Sequence, residues 1–235
     1  MKSVVPAAFL AHSGAPFLLR RAARLLRFVT AVLLLSGLLV VCAGPLAAPV
    51  AAASPAGAVV AWGHASSGEA TVPAGLSGVT AIAAGDGFSL ALKLDGTVGA
   101  WGSNLEGQAT VPAGLSGVTA IAAGGYHGLA LKSDGTVVAW GSNIWGQATV
   151  PAGLSGVTAI AGGGYYSLAL KSDHTVVAWG ADIWGQTDVP AGLSGVTAIA
   201  AGWGHILALK ADGIVIAWGR DPELSATTAT VPAGL

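Results

Sequence analysis

Between residues 116 and 154 four short stretches of apolar residues follow one another, separated by polar or turn-forming positions. The first is "VTAIAAG", beginning at Val118, and the second is "HGLALK", beginning at His127. A third, "TVVAWG", starts at Thr136 after the turn "SDG", and the more polar "GQATVP" starts at Gly146. Runs of this length, bounded by Gly, Asp and Pro, predict four strands in a small antiparallel sheet. No stretch places apolar residues at helical spacing, so helices are not expected. The inner runs carry Val, Ile and Leu on both faces with many Ala and Gly between them, as expected of a sheet covered on both sides.

The same order recurs at a fixed distance. Trp62, Trp101, Trp140, Trp179 and Trp218 lie 39 residues apart, and Pro73, Pro112, Pro151 and Pro190 keep that step. Pro232 comes three residues late, after the loop "RDPELSATT". A period near 40 with one Trp-Gly per unit is the signature of propeller blades, which bury their faces only by stacking on neighbours. The units are a half-unit over 58–76, then 77–115, 116–154, 155–193 and 194–235. Each hairpin "SDG" needs a glycine at positive φ. His174 takes that place in one unit and reads as a turn residue, since histidine tolerates the region.

Residues 1–53 are a different kind of sequence. Arg20, Arg21, Arg24 and Arg27 precede the apolar run "FVTAVLLLSGLLVV", and Ala51, Ala52 and Ala53 end the segment. A basic flank, a short apolar core and small residues at the end predict a secretory signal peptide, with 54–57 as a short linker. The repeat domain, 58–235, is then expected outside the cytoplasm, secreted or at the cell surface or in a periplasm. Membrane attachment is expected only if the N-terminal segment stays uncleaved. From Ser54 onward five basic residues stand against eleven acids, a net charge of −6. A mildly acidic domain without a basic stripe argues against nucleic acid as a partner. The one cysteine, Cys42, lies in the leader, so neither disulfides nor thiol chemistry are expected in the repeats.

The stretch "VTAIAAGGYHGLALKSDGTVVAWGSNIWGQ", with small departures in the other units, resembles the regulator of chromosome condensation (RCC1) repeat. The short "TVP" and "SGV" connectors are most similar to the secreted bacterial branch that includes β-lactamase inhibitory protein II. The resemblance implies an all-β fold of four-stranded antiparallel propeller blades, seven to a ring. Four full units and a half are present here, with no spare pair of strands to close a ring. An incomplete or open propeller is therefore expected, with edge strands through which the chain could self-associate.

In an up-and-down sheet the loops between first and second strands share a face with those between third and fourth strands. That face varies between units, whereas the other repeats "SDG" or a close variant and "PAGLSG". Tyr126, Tyr165, Trp203, Trp145 and Trp184, with Asn104, Asn143 and Asp182 between them, are the candidate partner-binding residues. Aromatics among amides and carboxylates are the composition of a protein-binding surface. In the resembled inhibitors aromatic residues of these loops contact the partner enzyme, a role that by position falls to Tyr126 and Tyr165. Gly87 and Gly204 interrupt that column in the outer units. Phe88, His127, Tyr166 and His205 occupy another column and are expected to cap the blade ends.

Catalysis is not expected. His127 and His205 alternate with Phe88 and Tyr166, so their position asks for a flat ring rather than an imidazole. Asp95, Asp134, Asp173 and Asp212 belong to one hairpin each, so paired acid–base work is not set up, and no convergent set of metal ligands is spelled out. No cofactor is implied. The founding activity of the resembled family, nucleotide exchange on a small GTPase, is at odds with export. Three readings follow: a secreted protein-binding module of unspecified partner, an enzyme inhibitor, or a structural cell-surface array.

Overall fold

The computed structural model describes residues 58–219. The proposed signal peptide, the linker and the last sixteen positions lie outside the described residues.

Twelve strands and no helix are found among the described residues. They form four separate three-stranded antiparallel sheets. The first holds β1 (Val79–Ala84), β2 (Phe88–Lys93) and β3 (Val98–Gly102). The second holds β4 (Val118–Ala123), β5 (His127–Lys132) and β6 (Val137–Gly141). The third holds β7 (Val157–Gly162), β8 (Tyr166–Lys171) and β9 (Val176–Gly180). The fourth holds β10 (Val196–Ala201), β11 (His205–Lys210) and β12 (Val215–Gly219). Registers repeat from sheet to sheet: His127 faces Gly141 and Tyr166 faces Gly180. The first strand of each sheet carries a bulge, as between Val118 and Ala120, where the Thr119 hydroxyl donates to Leu131 O.

Each blade thus has three strands, not the expected four. The "GQATVP" segment satisfies its backbone locally instead of joining a ladder. Asn104 Oδ1 accepts from Ala109 N, Thr110 N donates to Gly107 O, and Pro112 has no N–H to offer. The carbonyl of Gln108 is taken by the indole of Trp140 in the next blade. The half-unit 58–76 likewise forms no strand, although Val59, Val72 and Leu76 pack on Val79, Ala91 and Trp101.

The core lies between sheets. Phe88, Leu90 and Leu92 of β2 pack on Val118, Ala130 and Trp140 of the next blade. Leu129 and Leu131 pack on Val157, Ala169 and Trp179, and Tyr166, Leu168 and Leu170 on Val196, Ala208 and Trp218. Each tryptophan also donates its indole N–H across the boundary, Trp140 to Gln108 O at 2.9 Å and Trp179 to Gln147 O at 2.9 Å. The array does not close among the described residues. Leu207 and Leu209 of the fourth blade are about 40% exposed, at 38% and 40%, where their sisters are buried.

Rings at the start of the second strands cap the blade ends as expected. Phe88, His127 and Tyr166 are fully buried, while His205 is half-buried. Room for them comes from a glycine just after each first strand. A Cβ on Gly124 would strike the His127 ring and lie 2.6 Å from Gly163 O in the next blade. Gly124→Ala is therefore expected to destabilise the domain by about 1–3 kcal/mol, the usual cost of overpacking. A denaturant midpoint equal to the wild type's would show that the blades are not in such close approach.

His174 adopts φ 64°, and its Nδ1 lies 3.0 Å from Val196 O in the following blade. Its turn role is accordingly structural. Gly135 serves the same turn at φ 77°.

Candidate functional site

Loops after β1, β4, β7 and β10 converge on one face, linked blade to blade by their backbones. Asp86 N donates to Gly125 O, Gly125 N to Gly163 O, and Gly164 N to Trp203 O. This ladder places Tyr126, Tyr165 and Trp203 from three successive blades in one cluster. The two tyrosines stack at 5.3 Å between centroids with 25° between planes. Trp203 sets its edge to both, at 5.7 Å from Tyr165 and 6.4 Å from Tyr126. Offset and edge-to-face pairs of this kind contribute about 0.5–1.5 kcal/mol each beyond area burial. A preformed aromatic surface is the result.

Asp86 completes the cluster on its other side. The Tyr126 hydroxyl donates to Asp86 Oδ2 at 2.7 Å, and that bond with a carboxylate pushes the phenol's proton affinity far up. The interruptions at Gly87 and Gly204 are thus filled from the neighbouring column, by Asp86 in the first blade and Trp203 in the fourth. Gly164, opposite, leaves space: a Cβ there would lie 3.0 Å from the Trp203 ring. Alternation of Asp86, Gly125, Gly164 and Trp203 was the signal in the sequence that could have pointed to Asp86.

The loops after β3, β6 and β9 stand on the same face. Asn104 and Asn143 use their side chains to close these loops, accepting from Ala109 N and Ala148 N and donating to Thr110 and Thr149. Asp182 accepts from Thr187 N in the third. The buried Gln108, Gln147 and Gln186 accept from Glu106 N, Trp145 N and Trp184 N, which fixes the loop tips. Apolar side chains project from those tips. Leu105 is 94% exposed, Ile144 71% and Ile183 55%, with Trp145 half-exposed and Trp184 more covered. Exposed aliphatics beside the candidate aromatics are the part of the surface that residue-type reasoning passed over.

A cavity of about 270 Å³ opens between the two sets of loops, walled by Tyr126, Tyr165, Leu105, Ile144, Glu106 and Ser142. A larger apolar hollow of about 460 Å³ lies elsewhere, on the outer side of the first blade between Trp62, Ile82 and Trp101.

Below the face lies a hydrogen-bonded chain. Ser167 donates to Gln147 O at 2.9 Å, so it accepts from His127 Nε2 at 2.8 Å, which fixes the imidazole as the Nε2–H tautomer. His127 Nδ1 has no partner. Burial without a counter-charge drops the pKa of His127 to about 4. Neutral and enclosed, it serves the structure. Asp134 and Asp173 are tied to their own hairpins, accepting from Thr136 and Thr175 and pairing with Lys132 and Lys171. Those hydroxyl, amide and ammonium donors hold Asp134 down at about 2 and Asp173 lower still. No three metal-ligating side chains converge among the described residues.

Residues 79–108, 118–147 and 196–223 match the sequence model of the regulator of chromosome condensation (RCC1) repeat. The unit at 155–193 lies outside the match, although β7–β9 keep the register of the other blades. Among solved structures, yeast RCC1 (Prp20) bound to Kap60 is 24% identical, with a TM-score of 0.53, over 60% of this chain and 43% of that one. Prp20p of Saccharomyces cerevisiae, studied with its binding to Gsp1p and histones, gives 23% and 0.55 over 60% and 45%. The CRINKLY WD40 ectodomain of the Arabidopsis thaliana receptor kinase ACR4 gives 26% and 0.51 over 66% and 52%. The chain spans about half the length of each. No curated protein matches it. The four sheets are RCC1-type propeller blades.

Proposed function

We propose that the repeat domain of this chain is a protein-binding module of a secreted or extracytoplasmic protein, and that it holds its partner on the loop face. The observation that carries this reading is the three-ring cluster of Tyr126, Tyr165 and Trp203, beside the exposed Leu105, Ile144 and Ile183. Contiguous apolar side chains left in water mark interaction sites. Rigid aromatics lose little conformational freedom on binding and are typical anchors of such sites. The backbone ladder between loops holds them in place before a partner arrives, which lowers the ordering cost of association. Yeast RCC1, which shares this blade fold, is bound to Kap60 in its crystal structure.

A double variant, Tyr126→Ala with Tyr165→Ala, tests the assignment. Proteins captured on the immobilised chain from culture medium or cell envelope should be lost or weakened at least about tenfold, the effect of removing one anchor worth about 1.4 kcal/mol or more. Both rings are half-buried and paired with each other and with Trp203, so the thermal midpoint should also fall, and capture is compared at a temperature where wild type and variant are both folded. Unchanged capture would place the partner on another face. Where the captured partner is an enzyme, inhibition of its turnover by the wild-type chain separates an inhibitor from a simple scaffold.

A further inference from the structure

We infer that the loop face takes a positively charged partner, one lysine or arginine side chain of which enters the cavity between Tyr126, Tyr165, Leu105, Ile144 and Glu106; this rests on the loop face being the binding surface proposed above. Charge is segregated along the strands. The lysines among the described residues are Lys93, Lys132, Lys171 and Lys210, each at the end of the second strand of its blade and so on the hairpin rim. Asp95, Asp134, Asp173 and Asp212 occupy the same rim, and three of them pair with a lysine at 2.7–3.1 Å. That rim is balanced.

The opposite face is not. Asp86, Glu106, Asp182 and Glu69 stand in its loops, Asp188 follows beside Gly185, and no described lysine or arginine joins them. His64 bonds to Glu69, His127 is buried and kept neutral, and His205 opens β11 half-buried. A six-residue strand at about 3.4 Å per residue puts the two rims roughly 17 Å apart, about two Debye lengths in physiological salt, so the lysines barely offset these acids. A negative field therefore covers the aromatic cluster and attracts cations.

The cavity itself has the chemistry of a long cationic side chain. Leu105 and Ile144 offer aliphatic walls for a methylene stem, Glu106 offers a carboxylate, and two tyrosine rings offer π-faces. Because the Tyr126 hydroxyl proton lies on the bond to Asp86, the phenol oxygen keeps lone pairs for an incoming N–H. At about 270 Å³ the space falls just below the roughly 300–1,000 Å³ of small-molecule sites, enough for one side chain.

The test uses the full chain with tetra-arginine and tetra-lysine as probes, and tetra-glutamate and a Gly-Ser peptide of equal length as controls, read by tyrosine and tryptophan fluorescence. The basic peptides should bind, more weakly by about tenfold at high salt, as screening of a charged face requires. Glu106→Gln should weaken them at least about threefold and leave the thermal midpoint unchanged, because the carboxylate is exposed. Equal binding of the Gly-Ser peptide, or equal affinity in Glu106→Gln, would overturn the inference. Should the basic peptides fail to bind while protein capture still depends on Tyr126 and Tyr165, the cation inference falls and the binding face stands. Failure of both measurements removes the two together.

Discussion

Replacing Trp140 with alanine is expected to destabilise the repeat domain by about 3–5 kcal/mol, the cost of emptying a buried tryptophan site. Trp140 is 6% exposed and stands against Phe88, Leu90 and Leu92 of the preceding blade. Its indole N–H also meets Gln108 O at 2.9 Å, in the segment that never becomes a fourth strand. Truncation therefore removes apolar contact and strands a carbonyl at the same boundary. In a stack whose units contact only their neighbours, losing one boundary also uncouples the blades on either side. Urea unfolding should show a lower midpoint and a broader transition. Trp62→Ala supplies the comparison: that ring is 84% exposed, so its removal should fall within about 0.5 kcal/mol. Equal effects at the two positions would mean that the repeated tryptophan is not what joins the blades.

Acid is expected to weaken the domain through His127 before the carboxylates titrate. Burial holds its pKa near 4, against 6.5 for the free side chain. Between those values the unfolded chain takes up a proton that the folded one refuses, so stability declines as pH falls from about 6.5 to about 4. Above that window the imidazole is neutral in both states and contributes no slope. The full effect is roughly 3 kcal/mol, and the lack of a partner at Nδ1 explains why no relief is found inside. His127→Phe, which copies the sister residue Phe88, should flatten this part of the pH profile. Asp134, at about 2, loses its hairpin bonds only at lower pH, which keeps the two effects apart. A wild-type and variant pair with parallel profiles between pH 4 and 6.5 would show that His127 is protonated without penalty.

Much of the architecture could be read from periodicity. Residues such as Trp101, Trp140 and Trp179 recur at one spacing and are buried at one kind of boundary. The "SDG" turn and its His174 variant were legible because backbone geometry at a tight hairpin restricts which residue sits there. The fourth strand was not legible. "GQATVP" has the polarity and length of an edge strand, but Asn104, Gly107 and Pro112 satisfy or remove the groups a ladder needs. Local hydrogen bonding won over a weak strand preference.

The candidate site divides in the same way. Tyr126, Tyr165 and Trp203 could be named from the variable loops, yet only the structure shows them touching. Asn104, Asn143 and Asp182 look like surface polar groups in the sequence, and they spend their side chains closing their own loops. Leu105 and Ile144 are unremarkable as letters and prominent as exposed tips.

By itself the sequence determined the repeat, three strands of each blade and the identity of the residues that stack, because period, turn chemistry and apolar pattern are local properties of a chain. Tertiary structure alone decided that Asp86 bonds Tyr126 forty residues away and that His127 is sealed from water. Those facts depend on how one blade is offset against the next, and a distance between blades is written in no single unit.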